Sequence, residues 1–185
     1  MAKPRFRNTS TLGGMDLSSK RASWLDIPYV FELLMEGSFS GSFSDRFLQR
    51  KWWGKLFFYT LSLFFRHSGW WGNNANVQRM WLIYDGNEQI GFYHLVSSKN
   101  ENQQKELLIN LICVSHSYRN QRVASRIIQR LIDHQPQETL MVVYCTKYAR
   151  AMQRVLTKLK FERDKILHVN QLTRFILCKA TGTTV

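Results

Sequence analysis

The stretch Leu107 to His134, LLINLICVSHSYRNQRVASRIIQRLIDH, limits what this chain can fold into more than any other part of it. Leu107 to Val114 is apolar apart from Asn110 and rich in Ile, Leu and Val. That is how a strand buried on both faces reads. A polar turn follows, Ser115 to Tyr118, and then the run Arg119-Asn120-Gln121-Arg122. Beyond it Val123, Ile127, Ile128, Leu131 and Ile132 recur at helical spacing, with Arg126, Gln129, Arg130 and Asp133 on the other face. A buried strand thus feeds a basic turn that becomes the first turn of an amphipathic helix. Free backbone N–H groups and the helix dipole at such a start suit a phosphate.

The rest of the chain alternates in the same way. Ser23, with Asp26 three residues on and Pro28 after it, opens a helix whose apolar stripe is Ile27, Val30, Phe31 and Leu34. That helix is expected to stop near Gly37, with a turn over Gly37 to Gly41. Val77 to Tyr84 and Gln89 to Ser97 read as strands joined by the hairpin dipeptide Asp85-Gly86, after a loop from Gly69 to Asn76. Leu140 to Cys145 is another buried strand. Tyr148 to Lys160 reads as a helix, and Leu167 to Cys178 as one final strand. The fold class is therefore α/β (α+β). Residues 1–21 read as a flexible basic tail, 22–180 as one domain, and 181–185 as a C-terminal tail.

A formal charge of +13 and a pI near 10.0 make polyanions the natural partners: nucleic acid, anionic lipid, or a phosphate-rich ligand. The competing reading is a generally solvated basic surface. No helix-turn-helix, RNA-recognition or zinc-finger pattern supports nucleic acid. Cys113, Cys145 and Cys178 lie far apart, which suits a reducing cytoplasmic setting and gives neither a disulfide framework nor a metal site. The segment Phe43 to Trp71 crowds Trp52, Trp53, Phe57, Phe58, Tyr59, Phe64, Phe65, Trp70 and Trp71 among Arg46, Arg50, Lys51, Lys55 and Arg66. Its uncharged run Leu56 to Phe65 falls well short of the ~20 residues of a membrane span. Two readings remain: a second helix packed on the sheet, favoured here, and a peripheral contact with an anionic membrane or other polyanion.

The stretch around Val114 resembles the GNAT superfamily of N-acetyltransferases, whose acetyl-CoA motif reads (Gln/Arg)-x-x-Gly-x-(Gly/Ala) between a strand ending in Val and a helix. Val114, Tyr118, Arg119 and Ala124 fall on matching positions, while Arg122 stands in place of the first glycine. Ile90-Gly91-Phe92-Tyr93 is similar to the strand that precedes the cofactor strand in that family. Leu159-Lys160-Phe161 is similar to its Leu-Gly-Phe ending, with Lys160 for glycine.

The resemblance implies a twisted mixed sheet flanked by helices on both faces. It also implies transfer of an acyl group from acetyl-CoA, or a longer acyl-CoA, to an amine of a small molecule or protein, without a metal. The edge formed by Ile112, Cys113 and Val114 would pair with the pantetheine amides. Arg119, Gln121, Arg122, Val123, Ala124 and Ser125 would surround the pyrophosphate. Catalytic candidates are Glu106 as base or merely a strand-end charge, Asn110 as an acceptor ligand or a bulge residue, and Tyr148 as acid or a surface tyrosine. The family's usual tyrosine position is Leu156, which donates no proton. The alternatives are a catalytically degenerate GNAT-fold binding protein and a basic module on anionic membrane or nucleic acid.

Overall fold

The structure is a computed structural model, described here over residues 15–39, 53–67, 77–100, 102–136, 138–167 and 172–178. Its strands are β1 (Leu17–Arg21), β2 (Val77–Asp85), β3 (Glu88–Lys99), β4 (Lys105–Val114), β5 (Leu140–Thr146), β6 (Glu162–Leu167) and β7 (Leu172–Cys178). Its helices are α1 (Ile27–Phe39), α2 (Trp53–His67), α3 (Val123–His134) and α4 (Arg150–Lys158). The strands form one sheet in the order β1-β2-β3-β4-β5-β7-β6. All neighbours are antiparallel except β4 and β5. That parallel pair needs a crossover, and α3 supplies it.

Strand alternation divides the sheet between two layers of helix. On one face Ile83, Ile90, Tyr93, Leu95, Leu107, Ile109, Met141, Val143 and Phe175 pack with Val123, Ile127 and Ile128 of α3 and Leu156 of α4. On the other, Met80, Leu82, Phe92 and Cys113 pack with Val30, Leu33 and Leu34 of α1 and Leu56, Leu63 and Phe64 of α2. The aromatic segment thus holds the helix that its apolar content predicts. The parts of Phe43 to Trp71 outside α2, and the expected loop from Gly69 to Asn76, lie outside the described residues.

Local chemistry sets the ends of these elements. Asp26 accepts from both the backbone N–H and the hydroxyl of Ser23, at 2.7 and 2.8 Å. This fastens a short 3-10 turn, Trp24–Asp26, ahead of α1. The β2–β3 hairpin turns at Gly86, whose φ of 56° a residue with a Cβ adopts only under strain.

Three boundaries differ from the sequence reading. Leu17–Arg21, assigned to the tail, is the edge strand β1; only Leu17 in it is fully buried, so its pattern is too sparse to read. Helix α1 runs through Gly37 to Phe39. The strand expected over Leu167 to Cys178 is the second arm of a hairpin whose first arm, β6, is the charged run that begins Glu162-Arg163-Asp164-Lys165. Charge on an edge strand protects its unpaired backbone and hides the strand from a hydrophobicity pattern.

Candidate functional site

The site arises where β4 leaves β5. Their parallel ladder runs only from Glu106 opposite Leu140 to Ile109 opposite Val143. Past that point β5 stays paired with β7 up to Thr146, while β4 goes on to Val114 paired only with β3. The two strands fork, and β4 from Asn110 to Val114 has no ladder partner on its β5 side.

The cause is a bulge. On β3, consecutive residues His94 and Leu95 lie opposite Leu111 and Ile109, so Asn110 is the extra residue. Its insertion turns the alternation of β4 over: Leu107 and Ile109 point to the α3 side, Cys113 to the α1/α2 side, and Ile112 and Val114 back to the α3 side. The Asn110 amide nitrogen lies 3.0 Å from Nδ1 of His94, which is buried on β3. With the amide donating, His94 is the neutral Nε2–H tautomer.

The C-terminal arm of β4 is held in place from both sides. Gly91 of β3 lies opposite Val114, and a Cβ there would stand 2.5 Å from the Cys113 carbonyl oxygen. The approach of β3 and β4 therefore requires glycine. Arg119 donates from Nε to the Val114 carbonyl at 3.2 Å and pairs with Glu36 of α1 at 3.1 Å. It ties the strand end to the helix below. Tyr118 donates to Glu88 at 2.6 Å, a hydrogen bond that pushes its hydroxyl pKa up to about 12 and anchors the turn to the start of β3.

Helix α3 begins at Val123, and its first turn is closed by Arg126 N–H donating to the Arg122 carbonyl at 3.0 Å. The N–H groups of Val123, Ala124 and Ser125 precede that bond and have no intrahelical acceptor. With the dipole of the helix behind them, these residues fit a phosphate, and the free edge of β4 leading up to them fits an amide-bearing arm. Arg122 is the N-cap at φ 61° and ψ 15°, a left-handed conformation. Lys160, at the other family glycine position, has φ 63°. Both side chains are exposed, and both backbones keep the shape of the glycine they replace.

The three catalytic candidates lie at different levels of the fork. Asn110 is at its apex. Glu106 is below it, opposite Leu140, and 3.8 Å from Arg174 of β7, which pairs more closely with Asp164 at 2.7 Å. Tyr148 lies beyond the top of β5, exposed, with the Lys147 ammonium 5.0 Å from its ring centre. Leu156 is fully buried in the α3/α4 core. Of the cofactor candidates, Ile112 and Val114 lie on the free arm of β4. Cys113, on the same arm, turns its thiol into the core and donates to the Leu33 carbonyl at 3.4 Å, and burial pushes its pKa up to about 12. Gln121 donates to the Ser117 carbonyl at 2.8 Å, bracing the turn. No group of three or more metal-type ligands exists among the described residues. The roles of Glu36, His94 and Gly91 escape sequence reasoning, because partners up to 83 residues apart leave no local signature.

Residues 76–163, which contain the fork and the α3 turn, match the acetyltransferase (GNAT) domain family. Comparison with curated proteins finds no match. Among solved structures, a GNAT-family acetyltransferase from Streptococcus agalactiae aligns with a TM-score of 0.66 at 14% identity, covering 90% of this chain and 97% of that one. RimL, a ribosomal L7/L12 alpha-N-protein acetyltransferase in complex with CoA, aligns at 0.63 and 15%, covering 94% and 98%. A spermidine N-acetyltransferase from Vibrio cholerae, in complex with CoA and spermine, aligns at 0.60 and 12%, covering 88% and 95%. Such low identities carry the fold, and the domain match carries the kinship. Residues 76–163 thus carry a GNAT acetyltransferase domain, and the chain around them has the GNAT fold.

Proposed function

We propose that this protein transfers an acyl group from a CoA thioester to an amine held on the α1/α2 side of the fork. The observation that carries the reading is that β4 parts from β5 at Asn110, so that a free strand edge leads to an unsatisfied helix N-terminus. When bound, acyl-CoA supplies the activated acyl carbon. The N–H groups of Val123, Ala124 and Ser125 hold its phosphates, and the Ile112 to Val114 edge hydrogen-bonds its amide arm. Asn110, braced by His94, orients the amine. The amine nitrogen bonds to the acyl carbon as the carbon–sulfur bond breaks. Glu106 takes the amine proton through water, and Tyr148 at the fork mouth returns a proton to the sulfur.

The acceptor is an amine on a neutral or acidic molecule. A chain of +13 repels a polycation such as spermidine. The setting is cytoplasmic, consistent with three free cysteines, and any membrane contact is peripheral. No helix among the described residues is long and apolar enough to cross a bilayer.

The test is calorimetry with acetyl-CoA and CoA, followed by acetyl transfer to an acidic peptide amine and to spermidine. Micromolar CoA binding, turnover on the peptide, and a lower kcat in Glu106→Gln at unchanged CoA affinity are expected. A folded protein that binds neither ligand refutes the reading. The burial of Leu156 at the family's tyrosine position favours a second reading, a GNAT fold that binds CoA without catalysis. CoA binding with no amine acetylated would establish it.

A further inference from the structure

Helix α2 is apolar on two sides. Leu56, Thr60, Leu63 and Phe64 face inward and are buried. Phe58, Leu61 and Phe65, spaced i, i+3 and i+7, make a second stripe on the outward side, with Phe58 70% exposed. Phe57 and Tyr59, also exposed, flank the stripe. Trp24 and Leu25, in the turn before α1, extend it: the Trp24 ring meets Phe65 edge-on at 5.1 Å, and Leu25 is 90% exposed. Among the described residues nine large hydrophobic side chains are exposed, and six of them belong to this surface. Scattered exposed apolar residues need no explanation, but a contiguous group of this kind marks a contact surface.

Charge selects the partner. Helix α2 carries no acidic residue, Lys55 lies beside the stripe, and Lys20 and Arg21 end β1 just ahead of Trp24. Of the nearby carboxylates, Asp26 is committed to Ser23, and Glu32 on α1 is exposed. In sequence Trp52 precedes α2 and Trp70-Trp71 follow it, and the stretch ahead of it holds Arg46, Arg50 and Lys51 against one acid, Asp45. A two-fold contact with a second copy would set this basic rim against itself. Phosphate headgroups above an acyl layer match both the rim and the stripe.

We propose that the outward face of α2, with Trp24 and Leu25, seats this protein in the interfacial layer of an anionic phospholipid bilayer, the helix lying along the surface. It stands or falls independently of acyl transfer. The experiment is flotation of the full chain with phosphatidylcholine vesicles, with and without about one-third phosphatidylserine, at low and high salt. Partition into the anionic vesicles is expected, with little into neutral ones and a marked loss at high salt. Phe58→Ser with Phe65→Ser is expected to weaken partition by about tenfold per phenylalanine. Both residues point outward, and circular dichroism with CoA calorimetry verifies that the double variant is folded. Lys55→Glu, which leaves the apolar stripe intact, is expected to weaken partition to anionic vesicles alone. Absence of partition by the parent protein overturns the proposal. So does equal partition by the double variant, which would make the attraction purely electrostatic. A dimer seen by sedimentation and abolished in the double variant overturns it in favour of a second copy.

Discussion

Arg122 and Lys160 hold glycine backbone conformations at the two family glycine positions, so each should be more stable as glycine. Lys160 isolates the effect. It follows α4 in a complete C-terminal cap, with Phe161 N–H donating to the Leu156 carbonyl at 3.0 Å and Lys160 N–H to the Thr157 carbonyl at 3.1 Å. Leu156 and Phe161 are both buried, so the hydrophobic contact of this cap is also in place. A side chain in the left-handed region costs about 1–2 kcal/mol, and glycine returns about 0.5–1 kcal/mol through the freedom of the unfolded chain. Lys160→Gly should therefore stabilise the fold by about 0.5–1 kcal/mol. At this chain length that is a rise in Tm of about 1–4 °C. Lys160→Asn should fall between the two, since asparagine tolerates the conformation better.

Arg122→Gly should gain a similar amount of stability, because its φ of 61° nearly equals the 63° of Lys160. It differs in lying at the N-cap of α3 and in removing one cation from the helix start proposed to hold the phosphates. An exposed pair is worth about 0.2–1 kcal/mol, so CoA affinity should drop by about 1.4- to fivefold, and the gap should close at high salt. Denaturant unfolding and calorimetry on the three glycine and asparagine variants read both effects. A lower denaturation midpoint for Lys160→Gly would refute the strain argument. Tighter CoA binding by Arg122→Gly would show instead that the side chain crowds the phosphates.

Gly91→Ala places a Cβ against the Cys113 carbonyl at 2.5 Å, which forces the strands apart. It should cost about 1–3 kcal/mol and weaken CoA binding in step; full stability on unfolding would contradict the close approach. Arg119→Ala and Glu36→Ala should each weaken CoA binding, and a double-mutant cycle on stability should give a coupling of about 0.2–1 kcal/mol, since both side chains are a quarter to a third exposed. Strict additivity would mean that the pair does not position Val114. Burial pushes the thiols of Cys113 and Cys145 from 9.0 up to about 12. Above pH 9 the unfolded chain loses these protons while the folded chain keeps them. Stability should thus be level below about pH 9 and fall above it by about 1.4 kcal/mol per pH unit for each thiol. A denaturation midpoint unchanged from pH 8 to 11 would refute that.

Periodicity carried β4, α3, the β2–β3 hairpin and β5 because each has a burial pattern written along consecutive residues. It did not carry β1, in which Leu17 alone is fully buried, nor β6, whose Glu162, Arg163 and Asp164 are exposed at the sheet edge. The fork is harder to read. A bulge is a property of register between two strands, and Asn110 reads in sequence only as an interruption in an apolar run. The parts that hold the fork open come from distant places: His94 on β3, Glu36 on α1 and Gly91 opposite Val114.

The two residues that departed most from the family pattern show the limit of a motif. As letters, Arg122 and Lys160 count against a phosphate loop and a helix stop. As backbone, both do what glycine would do, at φ 61° and 63°. A motif records which side chain most cheaply permits a conformation, whereas the site needs the conformation itself. Two left-handed residues cost the fold a few kcal/mol at most, an amount that burial of the α3 and α4 stripes against the sheet can absorb. The costs differ in kind. Lys160 gains nothing described in return and projects into solvent, whereas Arg122 is the N-cap of the helix proposed to hold the phosphates. The first substitution is tolerated. On the proposed reading the second adds to the electrostatics of the site, and the salt dependence of CoA binding in Arg122→Gly separates the two.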